Sequence, residues 1–180
     1  GTIAMIPFIL KIFLGMLSDK VNFFGLGHRK PYIIIGLIVQ AVCLIILPVI
    51  DPAADFMAYA LMAFVLMTGM ALYDTCTDGL ALDTTPVEEE GIIQGFMVGG
   101  RAVGMVIVSA VLGVLVDKTS WTFGFYFLAL ATLLPLPLVL FTKESKRASD
   151  RIFDWSAFSC FKNSNVIALA VLGALYSLII

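Results

Sequence analysis

Long apolar runs, separated by short polar breaks, set the pattern of this chain. Six runs stand out, at residues 2–18, 31–50, 56–82, 92–116, 122–141 and 166–180. A helix needs about 20 residues at about 1.5 Å each to cross the hydrocarbon of a bilayer. Each run therefore reads as a spanning helix, with the first and last cut short. The breaks are brief except for 142–165, which is polar, basic and long enough to join two helical bundles. Within the runs, Pro135 and Pro137 predict a kink near one end of the fifth. Thr85-Pro86-Val87-Glu88 predicts a capping box at the start of the fourth, with Glu88, Glu89 and Glu90 at the positive helix end.

Composition supports a membrane-embedded, all-helical protein. Hydrophobic residues make up 61% and charged residues 13% of the 180 positions, against about 45–50% and about 25% in soluble domains. Overall charge says little, because the charges collect in the breaks between runs. If the runs alternate in direction, one side holds Lys20, Arg29, Lys30, Lys143, Lys146, Arg147, Arg151 and Lys162, and the other only Lys118. The positive-inside rule makes the first side cytoplasmic, which places the chain in the cell (inner) membrane as a multi-pass protein. Gly1 opens directly into one apolar run and Ile180 closes another, so the chain reads as an internal piece of a longer protein. The expected layout is an amino-terminal bundle over 1–141, a central cytoplasmic loop over 142–165 and the start of a second bundle over 166–180.

Five ionisable residues lie in or at the edge of the apolar runs: Lys11, Asp74, Asp78, Asp83 and Arg101. A charge near the bilayer centre costs about 2.5–3.5 kcal/mol even on the mildest insertion scale, so such groups pair with each other or line a polar pathway. Helical rise converts sequence position into depth. Counted from Asp83, Asp78 lies about 7 Å and Asp74 about 13 Å deeper; Arg101 lies about 15 Å and Lys11 about 12 Å deep on their own helices. Asp74 and Asp78 are four apart and share a helix face. Two acids and two bases from three helices thus converge on one layer, close to neutral overall. The paired acids repel, so one is expected to hold a proton. Asp74, the deeper, is the first choice for a proton-coupling residue and Asp78 the second. Lys11 and Arg101 would be counter-charges or anchors for an anionic solute. A static ion network and a bound sodium ion remain open as alternatives, and Asp83 reads as a solvated helix end.

The first cytoplasmic break carries Gly15-Met-Leu-Ser-Asp19-Lys20 and then Gly27-His28-Arg29-Lys30. This resembles the loop signature between the second and third helices of the major facilitator superfamily. The extra residues Val21 to Leu26, and Lys11 eight positions before Asp19, resemble the branch of folate–biopterin transporters and muropeptide permeases. The resemblance implies a major-facilitator-type bundle, with family helices two to six in 1–141, and alternating access to a mid-membrane site. It also implies that Gly15, Asp19, Gly27, Arg29 and Lys30 form a conformational latch on the cytoplasmic side. From the residues alone, Asp19 beside Arg29 and Lys30 can form a charge-assisted cluster, or the basic loop only sets topology.

Gly95, Gly99, Gly100 and Gly104 predict close helix packing on the fourth run, because small residues at spacing four let membrane helices approach. This stretch is no phosphate loop, since it lacks the Gly-Lys-Ser/Thr ending. Cys43, Cys76 and Cys160 are scattered and predict neither disulfide nor zinc site. One histidine, no metal-ligand cluster and no nucleophile paired with a base argue against an enzyme; no cofactor or metal is expected. The basic residues are accounted for by topology, so no nucleic-acid partner is expected.

The function expected from these observations is secondary active transport of a small organic solute, coupled to a proton or to sodium, by a protein that is monomeric once full length. Two alternatives stand beside it. One is a membrane assembly or pigment-delivery factor with the same fold, and the other is a sodium-coupled sugar symporter.

Overall fold

The computed structural model describes residues 7, 11–20, 27–142, 163–168 and 171–172, without the side chains of 12, 16, 19 and 20. The chain divides into two compact units, Gly1–Asp150 and Arg151–Ile180. In the second, residues 164–168 and 171–172 are helical.

The described residues of the first unit form helices α1 (Lys11–Lys20), α2 (Lys30–Ile46), α3 (Phe56–Thr84), α4 (Glu90–Lys118), α5 (Trp121–Leu133) and α6 (Leu136–Phe141). Among the described residues, four continuous stretches are long and apolar enough to cross a bilayer: Lys30–Val49, Phe56–Thr84, Val87–Lys118 and Trp121–Phe141. These agree with four of the six runs, and local chemistry sets several of their ends.

Pro31 sits in the first turn of α2, where its missing N–H is no loss. A 3-10 turn, Leu47–Val49, tightens the far end of the helix around Pro48. The Asp51 carboxylate then accepts from Ala53 N at 2.9 Å and closes the turn. Asp55 caps α3 by accepting from Ala58 N at 3.0 Å, and Ser120 caps α5 by accepting from Phe123 N at 3.3 Å.

The expected capping box at Thr85 is not formed. The Thr85 hydroxyl donates back to the Ala81 carbonyl at 2.7 Å, so it finishes α3 instead of starting α4. A 3-10 turn, Val87–Glu89, follows Pro86, and α4 begins without a side-chain cap. The acids Glu88, Glu89 and Glu90 still lie in these first turns, where their charge suits the helix dipole. Pro135 and Pro137 interrupt the fifth run, separating α5 from α6.

The core lies between α2 and α3. Near the start of α2, Tyr32, Ile33, Leu37, Cys76 and Leu80 form one cluster, joined by Leu136 and Val139 of α6. Near the opposite end, Cys43, Leu44, Leu47, Leu66 and Ala129 form another, joined by Phe125 and Leu128 of α5. Between the clusters the two backbones almost touch. A Cβ on Gly36 would lie 2.7 Å from the Gly69 carbonyl oxygen, and one on Gly69 would lie 3.0 Å from that of Gly36. Only glycine permits this crossing. α4 contributes no buried residue among those described and presents its apolar face openly.

Candidate functional site

Four charged side chains from three helices meet part-way along α3. Lys11 of α1 donates from Nζ to Asp74 Oδ2 at 2.6 Å and to Asp78 Oδ2 at 3.3 Å. Arg101 of α4 donates from Nη2 to Asp74 Oδ1 at 2.7 Å and stands 3.7 Å from Asp78 Oδ1. The two acids are one helical turn apart, so both cations reach both carboxylates.

The partnership is unequal. Both Asp74 oxygens are engaged at charge-assisted distances and its side chain is 15% exposed. Asp78 is held only through the two longer contacts and is 33% exposed. Asp74 is thus the hub of the network and Asp78 its looser member. The four formal charges sum to zero, which makes the layer tolerable in an apolar surround. α1 reaches α3 here without obstruction, since a Cβ on Gly15 would meet the Thr75 methyl at 3.1 Å.

A second cluster gathers where the end of α1, the start of α2 and the end of α3 meet. Arg29 is 8% exposed; its Nε donates to Asp83 Oδ2 at 3.1 Å and its Nη1 to Ser18 Oγ at 3.2 Å. Ser18, wholly buried, donates in turn to the Gly15 carbonyl at 2.7 Å. The Tyr32 hydroxyl donates to the Leu17 carbonyl at 3.2 Å. The guanidinium lies against the bare backbone of Gly79, where a Cβ would come within 2.5 Å of Arg29 Cζ. Gly27 precedes the cluster with φ 115°, a left-handed conformation that favours glycine.

Asp83 therefore differs from the solvated helix end expected for it: a buried arginine 54 residues earlier pairs with it. Lys30 begins α2 beside this cluster. The Asp19 side chain, expected to join Arg29 and Lys30, lies outside the described residues. Sequence reasoning missed Ser18 and Gly79. A serine one residue before Asp19 and a glycine one turn before Asp83 were the available signals.

The glycines expected to pack α4 against a neighbour do not do so among the described residues. A Cβ on Gly95, Gly99, Gly100 or Gly104 meets nothing within 4 Å. Gly95, Gly99 and Gly100 instead line an apolar groove of about 360 Å³ with Ile92 and Phe96. Two glycines that do face each other among the described residues, Gly36 and Gly69, are on α2 and α3. Among the described residues no group of three or more His, Cys, Asp or Glu side chains is placed to hold a metal ion.

Comparison with known proteins places this geometry in a family. The BT1 family, of folate–biopterin-type transporters, matches residues 1–171. The chain belongs to the BT1 family. A Rickettsia conorii protein named as transporter AmpG 4 is 24% identical over 155 residues, covering 83% of this chain and 37% of that protein. The chain thus spans little more than a third of the length of this relative. No solved structure matches the chain. The resemblance drawn from the first cytoplasmic loop, to folate–biopterin transporters and muropeptide permeases, agrees with both matches. A family of transporters also agrees with the absence of paired catalytic groups in the sequence.

Proposed function

We propose that the protein containing this chain is a secondary transporter that moves a small organic solute by alternating access, coupled to a proton or sodium ion at the Asp74–Asp78 pair. The observation that carries this reading is the neutral network of Lys11, Asp74, Asp78 and Arg101, drawn from three helices at one depth. Ion pairs built across separate spanning helices can be broken and remade as helices move, and a carboxylate released from its cation can take up a cation from solution. Membership of the BT1 family supports the transporter class. The Arg29–Asp83–Ser18 cluster is the cytoplasmic latch of this carrier, holding α1 and α3 together in one state.

The test is uptake by the full-length protein in membrane vesicles, offered folate, biopterin and muropeptide solutes under an imposed pH or sodium gradient. Asp74→Asn is expected to abolish gradient-driven accumulation and to spare exchange of solute across the membrane. Full gradient-driven accumulation by this variant would sink the coupling assignment. No accumulation of any solute, together with co-purification of pigment or light-harvesting subunits, would favour the assembly-factor alternative.

A further inference from the structure

A side-chain amide stands at the middle of the most apolar span. Gln40 is about 14–15 Å along the helix from either limit of the stretch Lys30–Val49. It falls on the buried face of α2, between Gly36 and Leu37 on one side and Cys43 and Leu44 on the other. Its oxygen Oε1 is enclosed and has no hydrogen-bond partner among the described residues. An orphan acceptor at this depth is costly, because the hydrocarbon holds no bulk water to satisfy it.

The surroundings offer further acceptors and no spare proton. On α3, a Cβ on Gly69 would lie 3.3 Å from the Gln40 backbone nitrogen. Thr68 beside it gives its hydroxyl proton to the Phe64 carbonyl at 2.8 Å. On the opposite flank, packing fixes the register of α5 and α6. Ala129 meets the cluster of Cys43, Leu44 and Leu47, and Leu136 meets that of Tyr32, Ile33 and Leu37. The chain between Ala129 and Leu136 therefore passes the level of Gln40. It carries Thr132, whose proton goes to the Leu128 carbonyl at 2.9 Å, and then the break between the two helices. Pro135 and Pro137 have no N–H, so the Ala131 and Leu133 carbonyls lose their helical donors. Leu134 N replaces the first at 3.2 Å. Gln40 Oε1, Thr132 Oγ1 and the Leu133 carbonyl are thus acceptors from two helices at one level.

Acceptors that meet acceptors need a shared donor. A water molecule supplies two protons and is neutral. A metal cation would also take oxygen ligands, but residues 31–49, 56–73 and 121–141 contain no carboxylate to balance it. Its charge would stand uncompensated at the bilayer centre, a cost that water avoids. Gln40 is only half-buried, which leaves part of the residue reachable by a water-sized molecule.

We propose that a water molecule is bound between α2 and the α5–α6 break, donating one hydrogen to Gln40 Oε1 and the other to the acceptors that end α5. Such a water has the two to four polar partners that buried waters keep. It makes the break a hydrated joint, where α6 can swing on Pro135 without stranding an acceptor in hydrocarbon. The site needs no solute and is separate from the Asp74–Asp78 layer.

The experiment is hydroxyl-radical labelling by X-ray radiolysis of the full-length protein in phosphatidylcholine vesicles prepared in heavy-oxygen water, read by mass spectrometry. Radicals formed from an enclosed water oxidise the side chains beside it. Cys43 lies one turn from Gln40, and Cys76, equally enclosed, belongs to the other core cluster and is the control. Cys43 is expected to take up label several-fold faster than Cys76, and Gln40→Met to bring it down to the Cys76 rate. Equal labelling of the two cysteines in the unaltered protein overturns the proposal, and needs no variant to fold. Labelling of Cys43 that Gln40→Met leaves unchanged overturns it as well.

Discussion

Arg29 and Arg101 each pair with a carboxylate of α3, yet the two arginines are used in opposite ways. Arg29 is buried, spreads its donors over Asp83 on α3 and Ser18 on α1, and lies against Gly79 with no space to spare. Arg101 touches its acids through one nitrogen and leaves the rest of its fork open. A cation wrapped on every side holds helices in register. A cation anchored at one corner keeps its geometry while offering donors to something else. The same residue type, meeting partners on α3 about two and a half turns apart, is thus enclosed at one level and open at another.

Breaking the closed member should have the largest effect. Asp83→Ala removes the carboxylate partner of a buried arginine, and loss of one partner of such a pair costs about 3–5 kcal/mol. Denaturant unfolding of the full-length protein should show a loss of that order, and a loss below about 1 kcal/mol would show that water already screens the pair. Gly79→Val tests the same contact from the other side. Its side chain would displace the guanidinium, and a lowered unfolding midpoint is expected.

The crossing of α2 and α3 should come next. Gly69→Leu forces a side chain into a 3.0 Å gap against backbone, and overpacking of this kind costs about 1–3 kcal/mol. An unchanged midpoint would mean that the helices can separate freely there. The open member should affect stability least and activity most. Arg101→Lys keeps a positive charge beside Asp74 but loses the planar fork, so the unfolding midpoint should hold while solute uptake falls. Equal losses of stability and uptake would make Arg101 a second Arg29.

Level along the helices was legible in the sequence, and direction around each helix was not. Rise per residue fixed the heights of Lys11, Asp74, Asp78 and Arg101, and the four do meet. Apolar length likewise located Lys30–Val49 and Phe56–Thr84 to within about two residues, inside the usual scatter of helix ends. What counting heights cannot supply is which helix a given face meets. Asp83 looked solvated because it ends α3, but the chain returns Arg29 to the same level from 54 positions earlier. Gly95 to Gly104 had the spacing for close approach, yet spacing shows only a capacity, and the glycines that face each other among the described residues are Gly36 and Gly69. Thr85 failed as a cap because its hydroxyl had a nearer acceptor one turn behind it.

The unequal spacing of the Asp74 partners along the chain bears on biogenesis. Lys11 precedes Asp74 by 63 residues and Arg101 follows it by 27, so α3 leaves the ribosome with one of its two cations already made. Two carboxylates entering the bilayer unpaired would face about 5–7 kcal/mol on the translocon scale. Lys11 can relieve one of them at once, and the other must wait for α4. By chain order, α1 is made in time to offset one charge of α3, and α4 supplies the second cation later.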